Sequence, residues 1–318
     1  MQIIDAATVA TRLPPAALVA ALERMFRDGC VAPVRHHHTV RVPGAPDATL
    51  LLMPAWREGA YAGVKLVTVF PGNAARALPA VSAAYLLLDA STGTVLALID
   101  GGELTARRTA ATSALAARFL ARGDATGLLV VGTGRMARHL ARFHVALRPE
   151  LRTVRIWGRS TPHAQQLVDD LARDGIAAAV ARSLPDEVAA ADIVSAATLA
   201  TDPLIGGQWV RPGTHVDLVG GYTTAMREAD DVLIERAAVF VDTREGALVE
   251  AGDVVVPIQR GILRAEAVHD LGQLCRREHV GRVDPTQITV FKSVGAALED
   301  LAAAIATFEA RPAGPTAR

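Results

Sequence analysis

Cysteine is nearly absent: Cys30 and Cys275 are the two in 318 residues, and their spacing supports neither a disulfide framework nor a thiolate metal site. That scarcity fits a reducing compartment. Net charge is absent too, since 33 Lys and Arg balance 33 Asp and Glu, so no polyanionic partner such as nucleic acid is expected. No charge-free apolar stretch reaches the roughly 18 residues of a membrane span. Asp5 stands where a secretory leader would be basic and then apolar, so no membrane association and a cytoplasmic location are expected. No internal repeat stands out, and the tail Arg311–Arg318 reads as frayed. What is present is an ordinary soluble composition, 51% hydrophobic and 21% charged, in a chain long enough for two domains.

The most informative stretch lies mid-chain: Leu128-Leu129-Val130-Val131-Gly132-Thr133-Gly134-Arg135-Met136-Ala137. Four consecutive apolar residues read as a strand buried on both faces. Gly132 permits a tight turn, Gly134 lets backbone approach a pyrophosphate, and Ala137 keeps the following helix, about Arg135–Leu147, close to the sheet. That helix would aim its first N–H groups at phosphate. The glycine signature is weak alone, but strands at Thr153–Trp157, Ile176–Val180 and Asp192–Ala196 follow it, with a helix at Pro162–Arg173. Such alternation predicts an α/β chain with a Rossmann-type doubly wound parallel sheet.

After the second strand, a site for NAD usually carries an acid that binds the ribose hydroxyls, whereas this chain reads Gly158-Arg159-Ser160-Thr161. A guanidinium with two hydroxyls suits a 2′-phosphate, so NADPH is the expected cofactor and NADH the weaker alternative. In the competing reading Arg159 is a solvated loop residue and Ser160 or Thr161 caps the helix that Pro162 begins; a hydroxyl can also do both.

The first hundred residues differ. After a helix at about Pro14–Arg27 come the β-rich runs Thr39–Val42, Leu50–Met53, Ala62–Phe70, Val81–Leu88 and Thr94–Ile99, without helix-length segments between them, which predicts a largely antiparallel α+β layer. A helix from about Leu104 to Arg122 leads into the nucleotide-binding strand, and a last helix, about Gly295–Glu309, should return to the first domain. The expected division is a substrate-binding and dimerisation domain at 1–110, completed by 290–318, and an NADP-binding domain at 111–289. Lys65 interrupts the apolar strand Ala62–Phe70, so its ammonium must reach water, an acid or an anionic ligand; an edge-strand lysine and a substrate lysine both explain it. Arg107 and Arg108 near a helix start oppose its dipole, and make sense beside an anion or on a solvated face.

Blocks spread along nearly the whole chain resemble the ornithine cyclodeaminase and mu-crystallin family: Val34-Arg35, Met53-Pro54-Ala55, Lys65-Leu66-Val67-Thr68, Pro71-Gly72-Asn73, Glu103–Ala111, Val131–Gly134 and Phe291-Lys292-Ser293-Val294-Gly295. The resemblance implies a homodimer built through the first domain, which binds an amino-acid-like substrate. Arg35, Lys65 and Arg108 would hold the substrate carboxylate or polarise its reacting centre, with Lys65 catalytic. Cofactor contacts are expected at Thr109, at Gly132, Thr133, Gly134, Arg135 and Met136, and at Arg159, Ser160 and Thr161. They extend to Thr198, which matches a family position near the nicotinamide ribose unless it serves as a cap, and to Val219, Lys292 and Ser293.

One departure separates activities within the family. Cyclodeaminases carry an aspartate after a Gly-Gly pair, where it handles the substrate amine; here Tyr222 follows Gly220-Gly221, and Asp217 lies too far back to substitute. A phenol, with a pKa of about 10, is a poor replacement for that carboxylate. The stretch Thr223–Asp230 looks instead like the branch that reduces cyclic ketimines, the Δ1-pyrroline-2-carboxylate reductases. The expected reaction is hydride transfer from NADPH to the imine carbon of Δ1-pyrroline-2-carboxylate, and of the six-membered Δ1-piperideine-2-carboxylate, giving L-proline or L-pipecolate. Lys65 or a water it holds would donate the proton. The alternatives are an ammonia lyase of cyclodeaminase type and an NADPH-dependent small-ligand binding protein of mu-crystallin type. His36-His37-His38 reads as pocket lining by one of the three, with no metal, because no acid or cysteine has suitable spacing. Val294, Leu298, Leu301 and Ile305 read as core.

Overall fold

A computed structural model describes residues 1–76 and 78–310 and divides them into two compact units: residues 1–108 with the segment from Ala296 onward, and residues 109–295. The tail 311–318, expected to fray, lies outside the described residues.

In the first unit, among the described residues, β1 (Gln2–Ile4), β2 (His36–Val40), β3 (Ala48–Arg57), β4 (Tyr61–Val69), β5 (Val81–Asp89) and β6 (Val95–Asp100) form one sheet in the order β1-β6-β5-β4-β3-β2. All pairs are antiparallel except β1 with β6. Sequence reading missed β1, since three residues carry too little pattern, and placed β2 about three residues late. On the inner face, Met53, Lys65, Tyr85, Ile99 and Ile4 are successive cross-strand partners, all buried. The helix Ala297–Glu309 covers this face and packs against the helix Pro15–Asp28, whose Leu18, Val19, Leu22, Met25 and Phe26 recur at helical spacing. Lys65 is therefore not an edge-strand lysine: β4 lies between β3 and β5.

The helix Gly101–Leu120 starts three residues earlier than its apolar pattern suggests, because the Asp100 carboxylate accepts the Glu103 N–H at 2.7 Å. Arg107 and Arg108 thus stand in its second turn, and the dipole argument at its first turn does not apply to them.

In the second unit, β7 (Gly127–Val131), β8 (Thr153–Trp157), β9 (Ala179–Val180), β10 (Ile193–Ala196), β11 (His215–Leu218), β12 (Ala237–Val241), β13 (His269–Asp270) and β14 (Ile288–Lys292) form an all-parallel sheet. Its order is β13-β12-β14-β11-β10-β7-β8-β9, the doubly wound arrangement in which strand order reverses between β7 and β10. Because β14 lies between β11 and β12, the return to the first unit comes after Gly295 and not at residue 290. The helix Arg135–Leu147 presses Ala137 and Ala141 onto Leu128 and Val130. Among the described residues no helix is long and apolar enough to cross a membrane.

Candidate active site

In the second unit a cleft of about 720 Å³ opens beyond the carboxyl ends of β7, β8 and β10, and Gly132, Thr133, Gly134, Arg159, Ser160 and Thr198 line it. The two glycines serve different masters. Gly132 turns at φ +128°, and a Cβ there would stand 2.6 Å from the Ala197 carbonyl, so the fold itself demands glycine. At Gly134 φ is −81° and a Cβ would meet nothing within 4 Å. Glycine there is an ordinary helix N-cap and leaves the backbone open to a ligand. No side chain caps the helix that Gly134 begins, which keeps its N-terminus suited to an anion. Arg159 is exposed on the cleft wall. Ser160 both lines the cleft and caps the helix Thr161–Arg173, accepting the His163 N–H at 3.4 Å. Arg135, Met136 and Thr161 occupy the first turns of the two helices and Val219 follows β11; these four lie outside the cleft lining.

Thr198 caps no helix. Its N–H and hydroxyl donate to Glu228 Oε1 at 2.7 and 2.9 Å, and Gly220 N–H donates to Oε2 at 2.7 Å. Lys292 is fully buried, with Nζ 3.2 Å from Asp253 and 3.9 Å from Glu228, and the Ser293 hydroxyl donates to Asp242 at 2.9 Å. The side chains of Lys292 and Ser293 are thus engaged with internal carboxylates. Glu228, Asp253 and Asp242 escaped the sequence reading because acids of this kind normally stand on a solvated surface, and burial is not a local signal.

The first unit holds the second cluster. Lys65 Nζ lies 2.7 Å from Asp300 Oδ2; Arg108 donates through Nε to Asp300 Oδ1 at 2.8 Å and through Nη1 to Glu299 Oε2 at 2.7 Å. All four side chains are 5% exposed or less. The anions beside these two cations come from the first turn of the last helix, Glu299 and Asp300. Burial pulls the Lys65 ammonium down, Asp300 opposes it, and Arg108 and Arg35 add repulsion, leaving Lys65 at about 8. Burial would raise the Asp300 carboxyl, but Arg108 and Lys65 together outweigh it and hold it below the usual range. Tyr85, the cross-strand partner of Lys65, is buried, and its hydroxyl has no hydrogen-bond partner among the described residues. Its ring fits because residue 63 is glycine; a Cβ there would sit 2.4 Å from the phenol oxygen.

Other expected residues fall elsewhere. Arg107 is turned away, donating to the Leu13 and Ala10 carbonyls and pairing with Glu103, a structural role. Thr109 is buried in the next turn of the helix. His36, His37 and His38 are exposed on the edge strand β2, and no group of three metal-ligating side chains exists among the described residues. Tyr222 is 44% exposed past β11. Asp217 is buried and accepts from the Ser113 and Ser195 hydroxyls at 3.0 and 2.6 Å, so it is held within the core of its unit.

The profile of the Ornithine cyclodeaminase/mu-crystallin family matches residues 3–313. The Δ1-pyrroline-2-carboxylate reductase of Paracoccus denitrificans is 46% identical over 271 residues, 84% of either chain. The ketimine reductase mu-crystallin of Rattus norvegicus is 36% identical over 310 residues, covering 95% of this chain and 92% of its own. Among solved structures, the Thermococcus litoralis Δ1-pyrroline-2-carboxylate reductase in complex with NADH and L-proline superposes with a TM-score of 0.90 at 28% identity, over 97% of both chains.

Proposed function

The chain belongs to the ornithine cyclodeaminase/mu-crystallin family, and from that membership we propose that it is a nicotinamide-dependent reductase of cyclic ketimino acids. Its substrates are Δ1-pyrroline-2-carboxylate, reduced to L-proline, and Δ1-piperideine-2-carboxylate, reduced to L-pipecolate. The observation that carries this reading is Lys65, a buried ammonium at about 8, oriented by Asp300 and flanked by Arg108.

Reducing a C=N bond takes a hydride at carbon and a proton at nitrogen. A bound nicotinamide supplies the hydride. Arg108 and Arg35 hold the substrate carboxylate, and Lys65 carries the proton to the ring nitrogen. Asp300 fixes the direction of the Lys65 Nζ–H bonds and keeps the ammonium protonated near neutrality. The open space at Gly134 and the uncapped helix beyond it suit a pyrophosphate, and Arg159 beside Ser160 favours the 2′-phosphorylated cofactor. The Thermococcus relative was captured with NADH, so the preference for NADPH rests on Arg159 of this chain. The buried engagement of Asp217 and the exposure of Tyr222 favour reduction over ammonia loss, since neither offers the lyase its carboxylate. The outer face of the first sheet, where Ile3, Leu98, Leu86 and Val64 are cross-strand partners, supports a homodimer. Cys30 and Cys275, which form no disulfide, accord with a cytoplasmic setting.

Purified protein mixed with NADPH and either cyclic imine should lose absorbance at the nicotinamide band. Ammonia released from ornithine without net cofactor change would mean a lyase instead, and binding without turnover a ligand-binding protein.

A further inference from the structure

We infer that Glu228 is the positioning residue of the nicotinamide half of the cofactor cleft, a buried carboxylate that ties the loop after β10 to the loop after β11; this rests on the cofactor reading. The strand order places β8, β7, β10 and β11 side by side. With the pyrophosphate over Gly132–Gly134 after β7 and the 2′-phosphate at Arg159 after β8, the rest of a dinucleotide would extend past the end of β10, where Thr198 lines the cleft, beside the end of β11. Both loops at those ends converge on one side chain. Glu228 Oε1 accepts the Thr198 N–H and hydroxyl, and Oε2 accepts the Gly220 N–H, all within 2.9 Å. The loops also touch through backbone: a Cβ at Gly220 would lie 1.9 Å from the Thr198 carbonyl and 2.6 Å from Glu228.

Glu228 itself is 1% exposed and lies outside the cleft lining, whereas Thr198 lines it, so the carboxylate acts through Thr198. Its own place is over-determined. Asp253 Oδ1 accepts the backbone N–H groups of Glu228 and Ala229 at 2.8 and 3.0 Å, while Asp253 Oδ2 and Glu228 share Lys292. Three donors aimed at two oxygens require a group that only accepts, which is the ionised carboxylate. An amide would turn a donor toward either the Thr198 pair or the Gly220 N–H, releasing one loop from the other. The change to amide leaves Lys292 paired with Asp253 at 3.2 Å, so the buried charges stay balanced.

The test is Glu228→Gln, with Kd measured for NADPH and for adenosine 2′,5′-bisphosphate, a probe confined to the Arg159 side. The expected result is an NADPH Kd raised about ten-fold or more, the loss of a charge-assisted bond, with bisphosphate binding unchanged. Equal weakening of both ligands would show a support of the whole unit and overturn the inference, as would wild-type NADPH affinity in the variant. Wild-type protein that binds neither ligand overturns the cofactor reading and this inference with it. Should Glu228→Gln not fold, Glu228→Asp keeps the charge and shortens the reach; it gives the same split, and unchanged NADPH binding in it overturns the inference.

Discussion

Burying an ammonium costs several kcal/mol unless a nearby acid offsets the lost hydration, and at Lys65 the offset from Asp300 at 2.7 Å is incomplete, so the group settles at about 8. As the proton donor it must be charged, so kcat/KM should be flat below pH 8 and fall about ten-fold per unit above it. An alkaline limb that begins only near the ordinary lysine value would remove Lys65 from that role. Stability carries the opposite sign. Unfolded Lys65 holds its proton to the ordinary 10.5 and folded Lys65 releases it near 8, so between these values the unfolded chain binds more protons and this group's contribution to stability rises with pH. Lys65→Met should cut turnover about 10²–10⁴-fold while leaving NADPH binding within about two-fold; near-normal turnover would refute the assignment. Arg159→Asp should weaken NADPH by about 100-fold and NADH little, and titrations showing equal losses would count against a 2′-phosphate site. Lys65 and Arg159 were legible in sequence because each breaks its local pattern, one inside an apolar strand and the other where an acid is usual. Their partners were not legible. Asp300 and Glu299 look ordinary at a helix start, and nothing local says that they are buried.

Elements read well wherever a period ran for several turns or a glycine had to turn the chain. The strand β7 and the helix Arg135–Leu147 match the sequence expectation in type and nearly in bounds, because a continuous apolar run and the two glycines are local facts. The short elements read less well: the three residues of β1 were missed, and β9 keeps only Ala179–Val180 of the strand expected at Ile176–Val180, since their pairing comes from neighbours already in the sheet. The two glycines of the turn make a paired test. Gly132→Ala should destabilise the protein by about 1–3 kcal/mol, from its φ of +128° and the contact with the Ala197 carbonyl. Gly134→Val should leave Tm nearly unchanged and weaken NADPH, since its side chain would fill space that only a ligand uses. A Gly134→Val protein that binds normally would put the pyrophosphate elsewhere.

At the scale of the whole molecule, the six-stranded sheet buries one face under the last helix and leaves Leu98 and Ile3 on the other, 37% and 78% exposed, beside Leu86 and Val64. An apolar row of this kind is costly in water. Leu98→Glu should therefore halve the mass measured by light scattering, while a wild-type protein that runs as a monomer would refute the dimer. The sequence by itself determined the doubly wound sheet, the glycine turn and the presence of the cations Arg35, Lys65 and Arg108, because these follow from periodicity and from residues next to one another. Only the tertiary structure decided what the site side chains meet: Arg108 finds Asp300 across 192 residues, and Thr198 finds Glu228 across 30. Such pairs depend on burial and on separations of a few ångströms, which the packing of remote segments creates and no stretch of chain contains.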